Sequence, residues 1–345
     1  MKILFLSHKF YPEIGGIEVN SEILANAFHN EGHEIKLLTW TPDPGIKTFP
    51  FEVIRNPPLS VLLKEHRWAE VVFENNPSLR LAWPGFFLRK PFVVALRTWI
   101  NRMDGKIAWQ DKLKLGWLKQ ASAVIAVSDA VRKKCWPSAT VIGNPYRQEV
   151  FKILPGIDRS IDFVFLGRLV SDKGADLAIK AIAGVLKAHP VRDKVSPHIA
   201  LTVVGDGPEL AILKNLAIDS GVQDNVKFTG ALKGSALVNC LNKHRFILVP
   251  SVWEEPFGNV ALEGMACGCV PIVSDGGGLV DAVGDAGLTF SRGSVDSLLS
   301  SILNILNNPG LEKRLRDAAG DHLQEHQPEI VSKRYLSVIK GALKR

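Results

Sequence analysis

Short apolar runs alternating with longer helical stretches constrain this chain most, because the alternation begins, breaks off and begins again. A strand at 2–7, a glycine-containing loop, a helix at 17–30 and a strand at 34–40 make a βαβ opening. Apolar runs at 71–73, 92–96, 124–127 and 140–142 add strands that are apolar on both faces, as a parallel sheet between helical layers requires. The segment 143–160, with Pro145, Pro155 and Gly156, interrupts the pattern. It restarts with strand 162–166, helix 175–189, strand 199–204, helix 209–220 and strand 226–229. Helix 235–243, strand 246–249, a helix from 259, strand 270–273 and a helical tail follow. Such alternation winds parallel sheets doubly, and 345 residues suit two domains of about 150 residues each. The expected class is α/β, with two doubly wound Rossmann-like domains at 1–155 and 156–328 facing each other across a cleft. A C-terminal helix at about 329–345 packs back on the first domain. Ligands of such sheets bind outside the carboxyl ends of the strands.

The formal net charge of +7 is spread along the chain, with no run resembling a nuclear-localisation or RNA-binding tail. That favours anionic small ligands or an anionic membrane surface as partners and disfavours nucleic acid. Cys135, Cys240, Cys267 and Cys269 form no C-x-x-C pair and read as reduced structural thiols of a cytosolic protein. The apolar run 3–6 stops at Ser7-His8-Lys9, too short for a signal peptide. No window approaches the roughly 18 to 20 apolar residues of a membrane span, so the expected location is cytoplasmic, with at most peripheral contact at the inner membrane face.

The run Glu255-Pro256-Phe257-Gly258-Asn259-Val260-Ala261-Leu262-Glu263 sits between a strand and a helix. The turn opens a helix whose first N–H groups have no intrahelical acceptor, and such an end attracts phosphate. Glu255 lies in the turn and Glu263 about one helical turn inside, on the face shared with Asn259. A carboxylate beside a phosphate would repel it, so both glutamates suit neutral sugar hydroxyls. The ligand suggested is a nucleotide-sugar.

With Gly167-Arg168-Leu169, Asp172-Lys173-Gly174, Gly205-Asp206-Gly207-Pro208 and the Glu255-to-Glu263 run in this order, the chain resembles the retaining glycosyltransferases of the GT-B fold, family 4. The resemblance covers nearly the whole chain. It implies that the C-terminal domain binds the nucleotide-sugar and the N-terminal domain binds the acceptor. Arg168 and Lys173 would serve one phosphate site, two positive charges that suit a diphosphate leaving group and can replace a metal ion. With no D-x-D string in the chain, no metal and no cofactor are expected. The resemblance allots Glu263 to the ribose hydroxyls and Glu255 to those of the donor sugar, making Arg168, Lys173 and Glu255 the catalytic set. Phe257, Gly258, Asn259 and Val260 would offer main-chain N–H groups, and Gly230 and Leu232 would flank the base.

Gly15 and Gly16 form no G-x-G-x-x-G fingerprint, which argues against a dinucleotide enzyme. By the resemblance they touch donor phosphates or sugar. Gly205-Asp206-Gly207-Pro208 reads as mainly structural, and Gly276-Gly277-Gly278 as a tight turn. Where the family commonly has a histidine reaching the donor sugar, this chain has Arg97. It cannot act as a base but can hold a hydroxyl, a phosphate or an anionic acceptor. Glu74, Asn75, His8 and Glu13 follow strands and face the acceptor side. Seven of the eight tryptophans precede residue 137, and the segment 106–119 interleaves lysines with Trp109, Leu113 and Trp117 like a basic amphipathic helix at an anionic lipid surface.

The reaction implied is transfer of a hexose, with retention, to an acceptor hydroxyl in polysaccharide, glycolipid or lipid-linked glycan synthesis. UDP-glucose comes first as donor by family frequency, and GDP-mannose next. The alternatives are a nucleotide-sugar epimerase of the same fold and a non-catalytic nucleotide-sugar binding protein.

Overall fold

The computed structural model describes residues 1–13, 15–43, 45, 47–100, 108–188 and 199–344. Within them the chain divides into two units, Met1–Pro145 with His326–Arg345, and Tyr146–Glu325. Residues 106–107 of the expected basic helix and residue 189 of the helix expected at 175–189 lie outside the described residues.

The first unit runs β1 (Lys2–Leu6), α1 (Gly16–Asn30), β2 (Glu34–Thr39), β3 (Glu52–Arg55), α2 (Leu59–Trp68), β4 (Val71–Asn75), α3 (Leu79–Phe87) and β5 (Phe92–Leu96). It continues through α4 (Trp109–Leu118), β6 (Ala123–Ala126), α5 (Asp129–Cys135) and β7 (Thr140–Val141). The seven strands are parallel in the order β3-β2-β1-β4-β5-β6-β7. β4 and β5 are buried along their whole length, which is why β5 and the first three residues of β4 are apolar on both faces.

The second unit runs β8 (Ile161–Leu166), α6 (Ala175–Ala188), β9 (Leu201–Val204), α7 (Leu210–Asp219), β10 (Val226–Gly230), α8 (Gly234–Asn242) and β11 (His244–Val249). Then come α9 (Asn259–Ala266), β12 (Val270–Ser274), α10 (Leu279–Val283), β13 (Leu288–Phe290), α11 (Val295–Leu306) and α12 (Pro309–Glu325). Its six parallel strands are ordered β10-β9-β8-β11-β12-β13. The last helix, α13 (Pro328–Leu343), belongs to the first unit. Val331, Tyr335, Leu336, Ile339 and Ala342 enter the core built on Phe5, Phe28 and Phe73.

The expected doubly wound parallel architecture is therefore present in both units. β3 and β13 escaped the apolar-run reading for different reasons. β3 (Glu-Val-Ile-Arg) is half charged and lies at a sheet edge, and β13 has only three residues. The four cysteines are free, and burial pushes the Cys267 and Cys269 thiols up to about 12, so both are inert at neutral pH.

Glu74, at the carboxyl end of β4, ties two helices of the first unit to the sheet. Its side chain accepts hydrogen bonds from the Ser78 N–H at 3.0 Å, just before α3, and from Trp117 Nε1 at 2.7 Å in α4. Burial pushes its carboxyl up to about 7 against those two bonds. A raised folded-state pKa means stability that is complete below about 4.5 and lost as pH climbs through about 7, on the order of 3 kcal/mol. Urea unfolding of Glu74→Gln should show a shallower fall in stability between these pH values than the wild type. An unchanged slope would mean the carboxyl is ionised throughout.

Candidate functional site

In the second unit the sheet changes direction at β8, which has β9 on one side and β11 on the other. This topological switch point opens a crevice beyond the strand ends, and the loops after β8 and β11 border it. The first loop carries Arg168 and Lys173, the second Glu255 and the start of α9.

Glycines set how closely these loops approach. Gly174, at φ 70°, passes so near β11's end that a Cβ would collide with the Pro250 carbonyl oxygen. From the same turn the Asp172 carbonyl accepts the Val252 and Trp253 N–H groups at 2.9 and 3.2 Å. Behind Arg168, a Cβ on Gly205 would strike the Gly167 carbonyl and one on Gly207 the Leu169 backbone, while Leu169 N–H donates to the Asp206 carbonyl at 2.9 Å. Gly205-Asp206-Gly207 is thus the wedge that holds the Arg168 loop. Gly277, at φ 67°, lets the β12–α10 loop lie on the Glu255 main chain, whose carbonyl accepts the Gly278 N–H at 2.7 Å.

Lys173 and Glu255, 82 residues apart in sequence, meet with Nζ 2.5 Å from Oε1. Ser251 Oγ donates to the same carboxylate oxygen at 3.0 Å, and Nζ lies 5.2 Å from the centroid of the Trp253 ring. Both partners are mostly buried, at 17% and 16% side-chain exposure. Arg168 is exposed, and its guanidinium has no hydrogen-bond or ion-pair partner among the described residues. The motif's positive charges are therefore unequal, one neutralised in place and one open.

Gly258, at φ 122°, caps α9 and packs on Leu279, so any side chain there would be strained and crowded. Phe257 points its ring into the core at 3% exposure. Asn259 and Val260 form the helix's first turn, where N–H groups lack intrahelical acceptors. Glu263, one turn further, is half-buried. Burial pushes its carboxyl up to about 7, against the pull of the Arg147 guanidinium. Gly230, at φ 72°, ends β10, and its carbonyl accepts the Gly205 N–H at 2.9 Å; Leu232 follows half-buried.

In the first unit, Gly15 caps α1 in an extended conformation, and the Glu18 carboxylate folds back into the space a Gly15 Cβ would occupy. This is a helix start covered by its own third residue, and that charge disfavours a phosphate there. Arg97 is buried, with Nε donating to Asn75 Oδ1 at 2.6 Å and one Nη to Asn144 Oδ1 at 2.9 Å. Its guanidinium also lies 5.1 Å from the Tyr335 ring centroid, and burial lowers its pKa. Arg97 thus fastens β4, the segment after β7 and α13 together, while its second Nη is buried with no hydrogen-bond partner among the described residues.

The residues that sequence reasoning missed are Ser251, Trp253 and Arg147. Ser251 and Trp253 stand within four positions of Glu255, a signal in plain view. Arg147, in the proline-broken segment, carried no signal.

A family model described as "Glycosyl transferases group 1" matches residues 147–322, more than half of the chain. The chain belongs to this family of glycosyltransferases. An uncharacterized glycosyltransferase of Methanocaldococcus jannaschii is 24% identical over 99% of both chains. A glycogen synthase of Mycobacterium tuberculosis is 30% identical over 94% of this chain and 90% of its own. Among solved structures, Anabaena HepE in complex with UDP aligns with a TM-score of 0.81 and 20% identity over 99% of this chain and 100% of its own. Sucrose-phosphate synthase of Thermosynechococcus elongatus aligns at 0.75 and 20%, over 98% of each chain. These likenesses place the fold in the GT-B class.

Gly174→Ala tests the loop packing. A side chain at φ 70° against the Pro250 carbonyl should lower stability by about 2 kcal/mol or more, read from the urea midpoint. A loss below about 0.5 kcal/mol would show that the two loops separate freely.

Proposed function

We propose that the protein transfers a hexose from a nucleoside diphosphate sugar to an acceptor hydroxyl with retention of configuration, without a metal ion. The observation that carries this reading is the pairing at the switch point of β8 and β11. Arg168 and Lys173 stand on one loop; Glu255, the start of α9 and Glu263 stand on the other. Anabaena HepE was solved with UDP-glucose and with UDP and glucose, which supports UDP-glucose as the first donor to test. A Corynebacterium glutamicum relative, 31% identical over 50% of this chain, is a GDP-mannose-dependent mannosyltransferase and supports GDP-mannose as the second.

The donor's diphosphate takes the place of Glu255 as the partner of Lys173, and Arg168 closes on it from the open side. Released from Lys173, Glu255 accepts hydrogen bonds from the sugar hydroxyls and aligns the ring. As the bond from the anomeric carbon to the phosphate oxygen breaks, the leaving diphosphate gains charge. The two cations and the first turn of α9 are already oriented to stabilise it. The acceptor hydroxyl attacks the face the leaving group vacates, and its proton passes to the departing phosphate. Glu263 holds the ribose hydroxyls. No glutamate is required as a nucleophile. The acceptor belongs to polysaccharide, glycolipid or lipid-linked glycan synthesis.

A thermal-shift screen over UDP-, GDP- and ADP-sugars should single out one donor by mass action. With that donor, Arg168→Ala and Lys173→Ala should each lower turnover about a hundredfold. Turnover within about twofold of wild type for both would remove the assigned roles.

Glu263 adds a pH signature. Ribose hydroxyls donating to its carboxylate stabilise the ionised form, so the bound pKa falls below the free value of about 7. Binding then releases a proton. Nucleoside diphosphate affinity should rise with pH, up to about tenfold per unit, until about pH 7 and level off above it. Calorimetry on wild type and Glu263→Gln isolates this contribution, and identical profiles would show that Glu263 does not meet the ribose.

A further inference from the structure

The formal charge looks spread along the chain, yet counting by segment locates it. Residues 80–119 hold nine of the 42 basic residues and only two of the 35 acidic ones, so they carry the whole surplus of +7 and the rest of the chain balances. In the fold the described residues of this segment include α3, β5 and α4, with the two helices on the same face of the first sheet. Phe86 of α3 lies 6.2 Å from Trp117 of α4, ring centroid to centroid.

The same two helices carry every exposed aromatic side chain among the described residues: Trp83, Phe86 and Phe87 on α3, at 37%, 48% and 73% exposure, and Trp109 on α4 at 68%. Leu113, at 53%, continues the stripe one turn on from Trp109. Phe87 packs edge-on against both Trp83 and Phe86, so the apolar surface is continuous and leaves the exposed faces of the rings outward. A contiguous apolar patch of this kind is uncommon on a surface that meets only water.

The charged side chains exposed on α3, on α4 and in the turn after α3 are positive. Arg80, Arg89, Lys112 and Lys119 are exposed, and Arg89 closes α3 at φ 49°, a conformation that glycine adopts without strain. Of the acidic residues nearby, Asp111 is buried and turned inward to the Ala108 N–H, Glu74 is buried between α3 and α4, and Asp104 lies outside the described residues. No exposed carboxylate stands among the described residues 71–128. Glu74 also fixes the platform, since its two bonds anchor α3 and α4 to β4.

We propose that the α3–α4 face docks the protein on an anionic lipid bilayer, with Phe86, Phe87, Trp109 and Leu113 entering the interfacial zone and the rim cations meeting lipid phosphates. Tryptophan and phenylalanine suit the boundary between headgroups and acyl chains, and clustered lysine and arginine add attraction to anionic lipid. A second copy of this face is disfavoured because two positive rims would meet. α4 is only half of the device. Trp117 turns inward onto Glu74 and Phe92, and the most exposed ring is supplied by α3. The proposal stands independently of the transferase reading.

The test is flotation of the full chain with vesicles of phosphatidylcholine alone and of phosphatidylcholine with one third phosphatidylglycerol, at low and physiological ionic strength. The protein should float only with the anionic vesicles, less so as salt rises, with a blue shift in tryptophan emission. Phe87→Ser with Trp109→Ser should weaken partition at least about tenfold. Lys112→Gln with Lys119→Gln should weaken it by roughly fivefold per lysine. Both variants should keep wild-type unfolding midpoints. The proposal fails if the wild type does not float with anionic vesicles or if the serine variant floats equally well. It also fails if light scattering shows an oligomer that the serine variant disperses, which would assign the face to a second copy. Retention on single-stranded nucleic acid without flotation would likewise overturn it.

Discussion

The contact between Lys173 and Glu255 is the joint on which the candidate site depends. It exists because β8 and β11 are neighbours in the sheet although far apart in sequence, so the loops leaving them emerge side by side. Three glycines then remove the side chains that would hold these loops apart: Gly174 against Pro250, Gly205 against Gly167, and Gly277 against Glu255. The geometry of the candidate site is thus largely a backbone property, and the charged side chains complete a frame already drawn by main-chain contacts.

That frame separates two kinds of recognition. Cations lie on the β8 side and carboxylates on the β11 and α9 side, with the helix start between. A nucleotide-sugar has the matching polarity, charge on its diphosphate and hydroxyls on both sugars. In the structure Glu255 occupies Lys173 as a phosphate would, so the site keeps its half-buried cation compensated.

The strands were legible in the sequence wherever burial on both faces forced a continuous apolar run, as in β1, β4, β5 and β11. β3 was hidden because an edge strand tolerates charge. The Glu255-to-Glu263 run and the cations at 168 and 173 were legible as motifs, because turn glycines and helix starts leave local signatures. Pairing was not legible. Nothing local marks Lys173 as the partner of Glu255, or Tyr335 as the ring beneath Arg97, since both contacts are made by topology. Charge was misjudged for a related reason. Lysines and arginines separated by a buried strand look scattered in sequence and converge only when α3 and α4 lie side by side.

The placement of α13 has a consequence for how this protein is made. The first unit's core includes Tyr335, Leu336 and Ile339, which are synthesised after the whole of the second unit, complete at Glu325. Synthesis therefore delivers a finished inner unit while the outer one still lacks a helix against β4, β5 and β6. The order of maturation runs opposite to the order of the genetic message. The unit begun first is completed last, when α13 joins its core.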